Sequence, residues 1–191
     1  RVYLMKKACE GVLNSNLFID SGKPSITLNS VRKNREVCRT NRCGNYGRNL
    51  ACPPFLGNYD VCVSSIDYYD IADLFTQTFE GTGSDKVRVR EIVGEFQDTC
   101  RNIMVTMRRN GFDVMTLTVG GCNYCKRCAA LDGQKCRYPE MVTLPISGYG
   151  IDISEYVHSI GGNFTFGDKE ITLYCVFLTK LKEDVALGID K

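Results

Sequence analysis

A chain of 191 residues, 43% hydrophobic and 24% charged, has enough apolar material for an ordinary core and too much for a disordered tail. Its 24 Lys+Arg against 22 Asp+Glu leave a formal charge of +2, too balanced to argue for a nucleic-acid binder. No run approaches the ~18 apolar residues of a membrane span, and the mixed-charge opening RVYLMKKACEGVLNSNLF holds no secretory apolar segment, so a cytoplasmic protein without membrane contact is expected.

In chain order, the stretch to about residue 30 is weakly patterned, with SITLNS (25–30) reading as a short strand. A cysteine loop follows, VCRTNRCGNYGRNLACPPF, in which Cys38, Cys43 and Cys52 precede Pro53-Pro54. Beyond it, Ile66, Tyr69, Ile71, Leu74 and Phe75 fall at helical intervals and predict a helix over 64–79. GTGSDK (81–86) is a loop signal, and without the Lys-Ser/Thr of a P-loop it is no phosphate cradle. VRVREIVGEFQDTCRNIMVTMRRNG then predicts a long helix closed by Asn110-Gly111.

FDVMTLTVGG reads as a buried strand ending in two glycines, and it feeds directly into CNYCKRCAALDGQKCRYP. SEYVHSIGG predicts a short helix, with Asp152 as its N-terminal cap rather than a reacting carboxylate. NFTFGDKEITLYCVFLTKL predicts a hairpin turning at Gly167-Asp168. The order implies an α+β fold: a small mixed sheet flanked by helices, in one domain over 1–191, with cysteine loops at 36–56 and 120–140.

Eleven cysteines in a chain of this length and compartment do not suit a disulfide scaffold, and the count is odd. Seven of them cluster. Cys122-x2-Cys125-x2-Cys128-x7-Cys136 shares its first three steps with the ferredoxin run C-x2-C-x2-C-x3-C-P, and Gly120-Gly121 ahead of it lets the backbone approach closely. Zinc favours two separated ligand pairs, so this spacing leans to a [4Fe–4S] cluster, with zinc kept as the alternative. His158, the lone histidine, lies far from both groups in sequence.

By the same logic Cys38-x4-Cys43-x8-Cys52-Pro is a second ligand set, one thiolate short. Cys62, ten residues on, is the strongest candidate for a fourth ligand; otherwise one iron stays open. A crossed arrangement, in which Cys52 serves the other cluster, is a further alternative. The remaining cysteines, Cys9, Cys100 and Cys175, are scattered, and Cys175 in LYCVFL reads as a small hydrophobe. Arg32, Lys33, Arg35, Arg39, Arg42 and Arg48 crowd the first loop, and Lys126, Arg127, Lys135 and Arg137 the second, matching an anionic centre.

Four stretches, CRTNRCGNYGRNLACPP, NGFDVMTLTVGGCNYCKRCAALDGQKCRYPEM, GYGIDI and ITLYCVFL, make the chain resemble the DUF2284 family of predicted metal-binding proteins over roughly residues 31–179. The resemblance implies an iron–sulfur protein of anaerobic prokaryotes with Cys38, Cys43, Cys52, Cys122, Cys125, Cys128 and Cys136 as ligands. Where the family pattern carries P-S-x-E-A before G-I-D, this chain has LPISGY. The expectation is two [4Fe–4S] clusters serving low-potential electron transfer to a redox partner protein. The alternative is an enzyme that uses an open iron on a small-molecule substrate, and a structural zinc protein ranks below both.

Overall fold

LYCVFL runs apolar without alternation because its strand is covered on both faces. The computed structural model describes residues 1–81 and 83–181, and in it Glu170–Lys180 forms β5, the middle strand of a five-stranded mixed sheet. Ser15–Phe18 (β1), Ile71–Glu80 (β2), Asp113–Thr118 (β3) and Leu144–Pro145 (β4) complete it in the order β1-β2-β5-β3-β4. Every pairing is antiparallel except the short parallel one between β3 and β4.

Successive β5 residues point to opposite faces. Ile171, Leu173, Cys175 and Phe177 meet helices Val2–Cys9 (α1) and Lys86–Arg109 (α4). Tyr174, Val176 and Leu178 meet Leu28–Arg39 (α2), Tyr59–Tyr68 (α3) and Ile153–Ser159 (α5). The fold is therefore α+β, a mixed sheet between two helical layers. Phe75 of β2 stacks on Phe96 of α4 with ring centroids 5.7 Å apart, which fixes the long helix across the sheet.

Helix α4 is where sequence and structure agree best. Asp85 caps it by accepting the N–H groups of Val87 and Arg88, and Asn110 closes it before Gly111 at φ +83°. Asp152 caps α5 through the Glu155 N–H, as expected, and His158 is exposed on that helix.

Four readings need correction. Residues 64–79 are not one helix: α3 stops at Tyr68 and β2 begins at Ile71, because Tyr69 takes an extended conformation and Asp70 turns the chain. A strand buried on both faces lacks the period-2 signal that would have revealed it. SITLNS is no strand either; Thr27 and Ser30 form a reciprocal capping box that starts α2. The weakly patterned N-terminal stretch contains α1 and β1. The C-terminal hairpin reduces to one bridge, Phe166 to Ile171, beside a long β5 that pairs instead with β2 and β3. The predicted loop over 81–86 includes Thr82, which lies outside the described residues.

Among the described residues no helix is long and apolar enough to cross a membrane.

Candidate metal centre

Both cysteine loops meet at one end of the sheet. The second leaves β3 at Thr118 and returns as β4, where Leu117 pairs with Leu144 and Thr118 with Pro145, so the loop is closed at its base. The first begins in the last turn of α2 with Cys38 and ends at α3. Helix α2 is held there by the turn after β4. Gly150, at φ +80°, brings its Cα so near α2 that an added Cβ would lie 2.6 Å from the Val31 nitrogen. Only glycine fits that crossing.

The four cysteines of the second group, Cys122, Cys125, Cys128 and Cys136, line one hollow with Tyr124 and Tyr138. Leu50 and Ala51 of the first loop close it, and the Leu50 N–H donates to Cys128 Sγ at 3.4 Å. Such a donor stabilises charge on sulfur. Cys38, Cys43 and Cys52 line a neighbouring hollow with Tyr46, Gly120, Gly121, Pro145 and Ser147. Cys52 therefore sits beside Cys38 and Cys43.

Gly121 lines the three-cysteine hollow and leads directly into Cys122 of the other. A Cβ there would lie 2.5 Å from both Cys52 Sγ and Asn49 Nδ2.

Cys62 goes elsewhere. It is buried in the α2–α3 core, 1% exposed, and its Sγ accepts from Arg35 Nη2 at 2.9 Å. Arg35 also donates to the Gly57 and Gly148 carbonyls. That arginine is a core strut, although its charge still bears on Cys38 and favours the ionised thiol there. No fourth cysteine lines the three-cysteine hollow; the exposed Ser147 lies there instead.

All eleven cysteines are free thiols. Cys9, Cys100 and Cys175 gather in the core beneath α4, where burial pushes Cys9 up to about 11 and Cys175 upward as well.

Burial also pushes the Cys52 thiol up to about 11, against the Asn49 side chain that favours its ionised form. Cys38 is raised by burial, partly offset by the Ser147 hydroxyl, and Cys125 is raised by desolvation and by neighbouring thiols. Thiols in this state need a nearby cation to ionise, and a bound metal supplies one. Among the described residues no group of three or more His, Cys, Asp or Glu side chains is arranged to hold a single metal ion. The seven thiols ring hollows instead of converging on a point, and an all-sulfur donor set suits iron–sulfur centres, in which metal and sulfide stand between the ligands.

Two residues of α4 that the sequence reading passed over hold the second loop. Gln97 Nε2 donates to the Val119 and Gly121 carbonyls. Arg101, 4% exposed, donates to Met141 O and Asn123 Oδ1, pairs with Asp98, and lies over the Tyr124 ring. Their signal was a Gln and an Arg four apart on a helix face that otherwise carries Phe96 and Cys100.

A groove of about 900 Å³ runs beside both loops and α4. Arg42, Arg48, Lys86, Arg90, Lys126 and Arg127 line it, together with Cys43, Cys122, Cys125 and Cys128, and no carboxylate among the described residues does. Arg127 pairs with Asp132; the other five cations make no ion pair among the described residues.

Seven thiols gathered at one sheet end by two interlocked loops define a protein of the metal-binding class. The chain belongs to the DUF2284 family of predicted metal-binding proteins, whose sequence profile matches residues 26–179. Neither the curated proteins nor the solved structures yield a match.

Proposed function

We propose that this chain is a two-cluster iron–sulfur protein acting in low-potential electron transfer. Cys122, Cys125, Cys128 and Cys136 would hold one [4Fe–4S] cluster, and Cys38, Cys43 and Cys52 the other. When bound, such clusters store and release single electrons. The observation that carries the reading is the separation of seven thiols into a four-cysteine and a three-cysteine hollow that adjoin where Ala51 leads into Cys52 and Gly121 into Cys122.

The chain's own residues supply the rest. The Leu50 N–H bears on Cys128, and the cationic groove lies open beside both cysteine groups. A redox partner with an acidic face would be drawn to that groove, since complementary charge speeds encounter.

The three-cysteine hollow supports a second reading. With Cys62 turned into the core, one iron there would lack a cysteine, and an open iron can act as a Lewis acid on a small molecule.

The test is EPR of the anaerobically purified protein after reduction by dithionite. Two centres in adjoining hollows should give a spin-coupled spectrum, and Cys125→Ser should convert it to a single uncoupled signal. One uncoupled signal in the unaltered protein at full iron content would contradict the two-centre arrangement. Electron uptake from an acidic donor such as a flavodoxin should slow in Arg42→Glu/Arg48→Glu and lose its salt dependence.

A further inference from the structure

On the far side of the three-cysteine hollow lies a pocket that electron transfer leaves unused. It encloses about 230 Å³ between the end of β5, the turn after β4 and the segment Asn163–Gly167. Ile146, Ile151, Phe164, Phe166, Leu173 and Tyr174 give it apolar walls. Gly120 and Ser147 line both this pocket and the hollow of Cys38, Cys43 and Cys52, so they form the partition between them.

The flap over the pocket is built in place. Tyr174 Oη donates to Asn163 O at 2.8 Å and accepts from the Thr165 N–H, while the Thr172 N–H donates to Thr165 O. Phe164 stacks on Tyr174 with ring planes 12° apart and centroids 5.4 Å apart. Yet Phe164 and Phe166 remain 39% and 53% exposed, so among the described residues nothing fully covers these two aromatic side chains at the pocket.

We infer that this pocket seats a small apolar molecule carrying a ring and a thiol, with the sulfur directed past Gly120 and Ser147 toward the open side of the three-cysteine centre. The inference rests on the reading that this centre lacks a fourth cysteine. Three features select the ligand. The volume falls below the ~300–1,000 Å³ of pockets for drug-sized ligands, so the molecule is small. Exposed aromatic faces beside aliphatic side chains favour a ring. No cation among the described residues lines the pocket, so a carboxylate or phosphate would be buried there unpaired, whereas a soft sulfur donor suits iron and stands in for the missing cysteine.

The experiment uses the anaerobically purified protein with its iron and sulfide measured. EPR of the reduced state is followed while benzyl mercaptan, 2-mercaptoethanol and benzoate are titrated separately. Benzyl mercaptan should perturb the spectrum at a concentration at least about tenfold below that of 2-mercaptoethanol, the least expected from desolvating an aromatic ring. Benzoate should not perturb it.

In Phe164→Ala/Phe166→Ala the advantage of benzyl mercaptan should vanish, with iron content and the 2-mercaptoethanol response unchanged. Equal response to both thiols in the unaltered protein, or an undiminished preference in the double variant, overturns the pocket assignment alone. No response to either thiol at full iron content overturns the open-side reading beneath it, and the pocket assignment with it.

Discussion

Gly121→Ala probes the lining of the three-cysteine hollow where the second loop passes it. The residue has no left-handed backbone, so the substitution adds only a methyl group, and that methyl would lie 2.5 Å from Cys52 Sγ and 2.5 Å from Asn49 Nδ2. Asn49 cannot swing away freely, because it is 5% exposed and its Oδ1 accepts the Ala51 N–H at 3.0 Å. Cys52 can rotate, but rotation takes its sulfur out of the hollow it shares with Cys38 and Cys43. Either the fold or the ligand set must yield.

Overpacking of this kind costs about 1–3 kcal/mol. At ~2–4 °C per kcal/mol for a chain of this length, the melting temperature should fall by about 2–12 °C. Gly94→Ala is the control. Its Cβ would meet only Asn123 Nδ2, at an ordinary 3.6 Å, in mid-helix, so it should stabilise by about 0.5–1 kcal/mol. The assay is thermal unfolding under argon, with iron and acid-labile sulfide measured on the same samples. Gly121→Ala should lose metal from the first group while Gly94→Ala keeps it all. A Gly121→Ala protein with unaltered melting temperature and full iron would refute the packing of Asn49 and Cys52 described above.

Cys62→Ala should keep its full iron and sulfide per folded chain but lose about 1–3 kcal/mol in denaturant unfolding, because one buried Arg35 N–H is left without its acceptor; loss of half the iron would make Cys62 a ligand. Cys125→Ser should remove one centre, whereas Cys175→Ser, fully buried in β5 among Phe75, Phe96 and Phe177, should leave metal content alone; equal iron loss in the two variants would mean that the thiols are wrongly grouped. Arg101→Met keeps an apolar stem but drops three hydrogen bonds and the Tyr124 contact. It should cost about 2–4 kcal/mol and release metal from the four-cysteine group first, as read by iron content through the melt.

That Cys122, Cys125 and Cys128 line one hollow was legible in their spacing, because residues three apart in a turn stay close together. So was α4, whose apolar stripe and Asn110-Gly111 end follow from helix periodicity alone. Residues 64–79 misled because Ile66, Tyr69, Ile71, Leu74 and Phe75 hold helical spacing across the bend at Asp70 between α3 and β2. A strand covered on both faces, such as β2, offers no alternation to contradict that reading.

Arg35 was assigned to the thiol shell by nearness in sequence, yet it points into the core to meet Cys62, a direction that only the packing of α2 on α3 fixes. The contact of Leu50 with Cys128, and the partition formed by Gly120 and Ser147, join segments about 30 to 80 residues apart and leave no local mark.

The central claim is that these seven thiols hold two four-iron clusters, and elemental analysis of protein purified without oxygen tests it most directly. The account predicts a brown protein with about eight iron and about eight acid-labile sulfide per chain. Stoichiometric zinc, with no sulfide and no absorption near 400 nm, would contradict it.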